Sequence, residues 1–165
     1  NIGWFLDKYM HWSSYTPEES AVMIAYGSVY GNTEAAACLL ASRLAERGIR
    51  NVLLYDVSVT HPSLLVAEAF RCSHLIFASA TYNAGIFPCM ETLLLELKAH
   101  SLKNRTVGLL DNGTWAATAG NQMRTVLESM QNMTILEPVI HIKSALTEAQ
   151  LPELDALADA VAASL

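Results

Sequence analysis

Three short clusters in this chain bring hydroxyls, amides, glycines and aromatic rings together: GSVYGNTE at 27–34, SATYNAGIFP at 79–88 and DNGTWAATAG at 111–120. In the first, Ser28, Tyr30, Asn32 and Thr33 offer polar donors, while Gly27 and Gly31 let the backbone curl tightly. Successive N–H groups in such a turn, leading into a helix N-terminus, form a concavity suited to an anion such as phosphate. No Lys-Ser or Lys-Thr pair follows the glycines, which excludes a P-loop. The spacing is not G-x-G-x-x-G either, so the dinucleotide fingerprint is absent, and Asp56 at the end of the second strand reads as a turn or capping residue. The second cluster adds the rings of Tyr82 and Phe87 around Gly85, and the third adds Gly113 and Trp115. Donors for a polar edge and aromatic faces for stacking suit a phosphorylated flat ring. Taken singly, each loop also reads as an ordinary turn, with Asn32 or Thr33 capping a helix for about 1 kcal/mol. Three such loops at one sheet edge shift the balance toward a ligand.

That common edge follows from the elements between the loops. Apolar runs at 21–26, 51–57, 74–80, 105–112 and 134–142 have the length and continuity of buried strands. Helical stretches separate them at 34–47, 61–72, 87–100 and 120–131, and a last one closes the chain at 147–164. Gly48 stands where a helix C-cap belongs, and Pro62 sits in a first turn. Five strands, each followed by a helix and too evenly hydrophobic for a half-wet sheet, predict an α/β fold with a doubly wound five-stranded parallel sheet and helices on both faces. Pro138 interrupts the last run and places that strand at an edge. Ligands of such sheets gather at the carboxyl ends of the strands, where all three clusters fall.

With 165 residues and 52% hydrophobic content the chain supports one well-buried domain. Its formal charge of -6 argues against nucleic acid or an anionic membrane surface as partner, and a bound phosphate would rely on neutral donors. No apolar stretch approaches the roughly 18 residues of a membrane span. Cys38, Cys72 and Cys89 are odd in number and lack CxxC spacing, which points to a reducing cytoplasm and to three small core residues rather than disulfides or zinc ligands. His11, His61, His74, His100 and His141 are scattered and read as surface or turn residues, with His74 the one expected to be partly buried. The aromatic lead at 1–20 reads as a linker from a preceding domain, with the domain proper at 21–165.

YGSVYGNTE, SATYNAGIFP and DNGTWAATAG, in this order and at these strand ends, resemble the flavodoxin-like domain of A-type flavoproteins, the flavodiiron proteins, over about residues 20–165. The Ser-x-Tyr-Gly-Asn-Thr and Asn-x-Gly-Ile-Phe-Pro pieces are the most specific, and WFLDKYMHW is similar to the connector that follows a metallo-β-lactamase-like domain there. The resemblance implies a flavodoxin-like strand order of 2-1-3-4-5 and noncovalently bound FMN. Ser28, Val29, Tyr30, Gly31, Asn32 and Thr33 would surround the phosphate. Ala80, Thr81, Tyr82, Asn83, Ala84 and Gly85 would line the ribityl chain and ring, and Asn112, Gly113, Thr114 and Trp115 would border the isoalloxazine. Relatives often carry Gly-Ser-Tyr-Gly-Trp in the third loop; here Asp111 and Asn112 precede Gly113, and an acid near the ring would disfavour an anionic reduced flavin.

The family implies further that this is the C-terminal part of a longer oxidoreductase. In it, FMN takes electrons from a rubredoxin-like or NAD(P)H reductase partner and passes them to a diiron site that reduces oxygen or nitric oxide. A head-to-tail homo-oligomer would bring one subunit's flavin near the other's irons. No H-x-E-x-D ligand run occurs here, so no metal residue is assigned, and the chain alone would be an electron carrier without catalytic side chains. A stand-alone NAD(P)H:quinone reductase and a flavin-free interaction module of the same fold are the alternatives.

Overall fold

The computed structural model describes all 165 residues. A helix α1 (Ile2–Ser14) precedes the first strand, β1 (Glu19–Gly27), where the sequence suggested only a linker. There follow α2 (Asn32–Glu46), β2 (Val52–Asp56), α3 (Pro62–Arg71) and β3 (Cys72–Tyr82), then a two-residue β4 (Gly85–Ile86) and α4 (Pro88–Ala99). The chain ends with β5 (Arg105–Asn112), α5 (Ala119–Glu128), β6 (Met133–Ile135), β7 (Ile140–Ile142), a 3₁₀ turn at Glu148–Gln150 and α6 (Leu151–Ser164).

The sheet runs β2-β1-β3-β5-β6, with β7 also on β5 and only the β3–β4 pair antiparallel. This is the expected doubly wound, flavodoxin-like order. The run at 134–142, expected as one strand, is two short ones: β6 pairs with the start of β5 and β7 with its end. Pro138 lies between them and has no N–H for the ladder, so the edge strand breaks there.

Period-two alternation along the parallel strands feeds two separate cores. Val22, Ile24, Ile76, Ala78 and Leu110 pack under α2 and α6, against Ala36, Leu40, Leu44, Leu154, Leu157 and Val161. Met23, Leu75, Phe77, Val107 and Leu109 face the other way, against Leu65 of α3, Leu93, Leu94 and Leu97 of α4, and Met123 and Leu127 of α5. Residues 21–25 of β1 are wholly buried, which a half-wet sheet would not allow.

The expectation of three core cysteines holds only for Cys72, whose thiol burial pushes up to about 11. Cys38 and Cys89 are exposed. In α2 the buried stripe is Ala36, Ala37, Leu40 and Leu44, and in α4 it is Met90, Leu93, Leu94 and Leu97. Each cysteine falls one residue off its helix's stripe, and at 100° per residue that is enough to leave the core. His74 is buried, as expected, with Nδ1 on Ser73 Oγ at 2.8 Å and Nε2 on Ser164 Oγ at 3.0 Å. Burial holds its pKa below the ordinary value.

Helix α1 buries none of its residues, and its anchor is polar. Lys8 and Trp12 Nε1 both donate to the Glu18 carboxylate. Burial alone would raise that carboxyl, but the two bonds outweigh it and hold it below its ordinary value of 4.5. A depressed carboxyl contributes stability above its unfolded pKa and loses it as pH falls through the folded value. Amide protection of residues 2–14 is therefore expected to be lost as pH falls through the depressed Glu18 carboxyl's titration while β1 and β3 stay protected, and Glu18→Gln should lose it already at pH 7. Hydrogen exchange followed by mass spectrometry reads this out. Unchanged protection of α1 in Glu18→Gln would remove the carboxylate as its anchor.

Candidate functional site: a cleft of uncharged donors

At the carboxyl ends of β1, β3 and β5 lies a cleft of about 140 Å³ lined by Ser28, Val29, Tyr30, Asn32, Thr33, Ala80, Thr81, Asn112, Gly113, Thr114 and Ser144. None of these residues is charged. A larger hollow of about 630 Å³ lies outside α3 and α4, lined by Trp12, Pro62, Val66 and Phe70 among others, but it is mostly apolar and gathers no comparable set of donors. Convergent polar groups, more than volume, mark a site.

The first loop is shaped by Gly31. Its φ of 89° is in the left-handed region, and it occupies the N-cap position of α2 with no side chain capping the helix. Ser28 Oγ accepts from the Gly31 N–H at 3.0 Å, closing the turn. Neither Asn32 nor Thr33 is a cap, contrary to the plain reading of this loop; both lie in the first helical turn, where backbone N–H groups lack intrahelical acceptors. Thr33 is 1% exposed, lines the cleft, and its hydroxyl has no partner among the chain's own hydrogen bonds. Gly27 serves a different purpose from the expected backbone curl: a Cβ there would stand 2.5 Å from Phe87 Cδ1, so its bareness admits the ring.

The second loop is a tight hairpin. Asn83 and Ala84, at φ 48° and 57°, form the two-residue connection between β3 and β4. An alanine in this region is strained, and the strain is restrained from outside: Ala84 O accepts from Thr118 Oγ1 at 3.0 Å and from Gln122 Nε2 at 2.7 Å. Ser79 Oγ accepts from the Phe87 N–H at 3.1 Å, and Thr81 Oγ1 accepts from the Ala119 N–H at 3.3 Å. Thus α5 and β4 lock the loop from behind. Ala80 and Thr81 reach the cleft; Tyr82, Asn83, Ala84 and Gly85 lie on its rim or beyond, with Tyr82 half exposed.

The third loop follows β5. Asn112, Gly113 and Thr114 line the cleft, whereas Trp115 is fully exposed beside it, as is most of Tyr30. Asp111 does not face the cleft. It shares the α5 side of β5 with Leu109, is wholly buried, and accepts from the Gly120 N–H at 2.9 Å and from His141 Nδ1 at 2.8 Å. Strand alternation turns the carboxylate away from the cleft, onto the start of α5. Burial raises the Asp111 carboxyl despite the opposing bonds from His141 and Gly120. His141 is exposed, as expected, and its ring pairs with Asp111, its strand partner in the β5–β7 register. Asp56 accepts from the Ser58 N–H at 2.8 Å and from its hydroxyl at 2.6 Å, the turn role expected of it.

Ser144 was not among the sequence candidates. It leaves β7, which is absent as a separate element from the sequence reading, and only the pairing of β7 with β5 brings it beside Asn112.

Comparisons with known proteins agree with this architecture. The Flavodoxin family model matches residues 24–154. Rubredoxin-oxygen oxidoreductase of Megalodesulfovibrio gigas is 25% identical over 162 residues, 97% of this chain but 39% of its own length. Among solved structures, rubredoxin oxygen:oxidoreductase from Desulfovibrio gigas superposes with a TM-score of 0.90 at 23% identity, over 99% of this chain and 40% of that one. The flavodiiron protein from Giardia intestinalis gives 0.86 at 19% identity (98% and 41%), and a flavodoxin from the domain Archaea gives 0.74 at 20% (87% and 97%). The chain therefore spans about two fifths of its larger relatives and nearly the whole of a free-standing flavodoxin. No helix is long and apolar enough to cross a membrane. From the family match over most of its length and the strand order that accompanies it, the chain belongs to the flavodoxin family.

Proposed function

We propose that the chain is an FMN-binding electron-transfer domain, the flavodoxin-like part of a flavodiiron oxygen or nitric oxide reductase. In this reading it takes electrons from a rubredoxin-like or NAD(P)H reductase partner and passes them to a diiron site elsewhere in the same protein, assembled as a homo-oligomer. The similarity to rubredoxin-oxygen oxidoreductase along 97% of the chain supports the larger context. The observation that carries the cofactor assignment is the cleft itself, with a Thr33 hydroxyl that no group of the chain pairs and an uncapped helix N-terminus in a lining without carboxylates.

The residues present fit FMN. A volume of about 140 Å³ accommodates a phosphate and the near end of a sugar alcohol but not a three-ring system, which belongs outside, against exposed aromatic faces. Tyr82 and Trp115, from two different loops, are exposed and can supply such faces. Neutral donors can hold a phosphate because α2 presents the positive end of its dipole and its free N–H groups at the cleft. The flavin supplies the redox chemistry when bound, and the chain supplies binding, orientation and electrostatics. With Asp111 turned toward α5, no carboxylate of the third loop lines the cleft.

Titration of the purified chain with FMN tests the reading. Quenching of FMN fluorescence at micromolar protein, with a visible absorption band retained after gel filtration, is the expected result. No quenching and no band would leave a flavin-free module of the same fold. Steady NADH-dependent quinone reduction by the isolated holoprotein would overturn the carrier assignment in favour of a stand-alone reductase.

A further inference from the structure

Ser144 is one of the chain's non-glycine residues in the left-handed region, at φ 69°. A serine holds that conformation only when its surroundings fix it. The fixing group is the side chain of Asn112: its Oδ1 accepts from the Ser144 N–H at 3.0 Å and its Nδ2 donates to the Ser144 carbonyl at 2.7 Å. One amide thus grips both backbone groups of one residue. The neighbouring Gly113 N–H donates to Ile142 O at 3.0 Å and extends the β5–β7 ladder to this point. Held this way, Ser144 lines the cleft opposite the first loop, and Asn32 Nδ2 donates to its Oγ at 3.5 Å. A hydroxyl that accepts on its oxygen keeps its hydrogen for another acceptor.

We propose that Ser144 is a phosphate-contacting residue of the site, supplied by a fourth loop, and that Asn112 is a positioning residue that sets it. The inference rests on the FMN reading above. The Ser144 hydroxyl would receive the Asn32 amide and donate to a phosphate oxygen, coupling the first loop to the loop after β7. Asn112, expected at the ring, has both amide atoms committed to Ser144 and acts through it on the phosphate end. Without lysine or arginine in the lining, one additional neutral donor matters more than it would beside a cation.

The test compares FMN with riboflavin, which lacks the phosphate, by fluorescence titration. Ser144→Ala removes the hydroxyl and keeps a Cβ. It should raise the FMN Kd about tenfold, the size expected for one hydrogen bond to a charged group, and leave riboflavin within about twofold. Ser144→Gly relieves the backbone conformation and so folds at least as well; it should show the same selective loss. Asn112→Ala should lower the FMN-to-riboflavin preference in the same direction. Adding Ser144→Ala to it should have little further effect, because the hydroxyl is already displaced, a non-additive cycle. An unchanged preference in both Ser144 variants, or equal losses for both ligands, would overturn the role of Ser144, and fully additive losses in the double variant would overturn the positioning role of Asn112, each while leaving the FMN site standing. A wild-type chain that binds neither ligand would overturn the site and this inference together.

Discussion

Thr33→Val combined with Asn32→Ala is expected to weaken FMN binding about a hundredfold or more while changing riboflavin affinity by less than about threefold. The selectivity follows from where the two side chains lie. Both belong to the first turn of α2, at the end of the cleft where uncapped backbone N–H groups favour an anion. Thr33 is buried with an unpartnered hydroxyl, so its valine replacement removes a donor and little volume, and no native hydrogen bond inside the chain is lost. Hydrogen bonds to charged groups contribute about 1.5–3 kcal/mol each, and each 1.4 kcal/mol is a factor of ten. Thr33→Val removes its donor directly, Asn32→Ala also removes the bond to Ser144 Oγ, and both losses fall on the phosphate end of the cleft. Paired fluorescence titrations measure the ratio, with a thermal melt confirming the fold. Equal losses for the two ligands would move the phosphate out of the first loop.

The same cleft shows what was readable in the residues and what was not. The parallel sheet and its two covered faces follow from apolar runs such as 21–26 and 74–80, whose every position is buried or nearly so. That signal is local and strong. The orientation of Asp111 was also available: Leu109 and Asp111 share one side of β5 and Leu110 and Asn112 the other, so counting by two from the core turns the carboxylate away from the cleft. Helix α1 escaped because Trp4, Phe5, Leu6, Tyr9, Met10 and Trp12 are all exposed, leaving no buried stripe for periodicity to mark. Ser144 could not be found from spacing at all. Its place depends on β7 pairing with the end of β5 after the interruption at Pro138, a long-range register that no local pattern encodes. Gly31, by contrast, was correctly singled out, because a left-handed residue at the N-cap leaves a local trace in residue type.

Arg105 went unremarked in the sequence, yet its replacement is expected to have the largest effect on stability. It opens β5, is 2% exposed, and has no carboxylate partner. Its guanidinium instead donates to five carbonyls: Ala69 O at 3.1 Å, Phe70 O at 2.8 Å, Tyr15 O at 2.9 Å, Lys103 O at 2.9 Å and Asn104 O at 3.2 Å. Ala69 and Phe70 belong to the last turn of α3, whose orphan carbonyls carry the negative end of the helix dipole. Tyr15 ends α1, so a single side chain ties α1, α3 and the start of β5 into one corner. Burial pulls the guanidinium down to about 10, still far enough above neutrality to keep it charged. Arg105→Met fills much of the volume but leaves the carbonyls without donors. Because a buried polar group left without its hydrogen bond costs about 1–3 kcal/mol and several carbonyls lose theirs together, the melting temperature should fall by roughly 10–15 °C for a domain of this size. Arg105→Lys should recover only part of this, since an ammonium cannot fan out to carbonyls on three sides. Thermal and urea unfolding followed by circular dichroism decide the matter: a loss below about 1 kcal/mol for Arg105→Met, or full recovery by lysine, would show that the corner is held by packing rather than by the guanidinium fan.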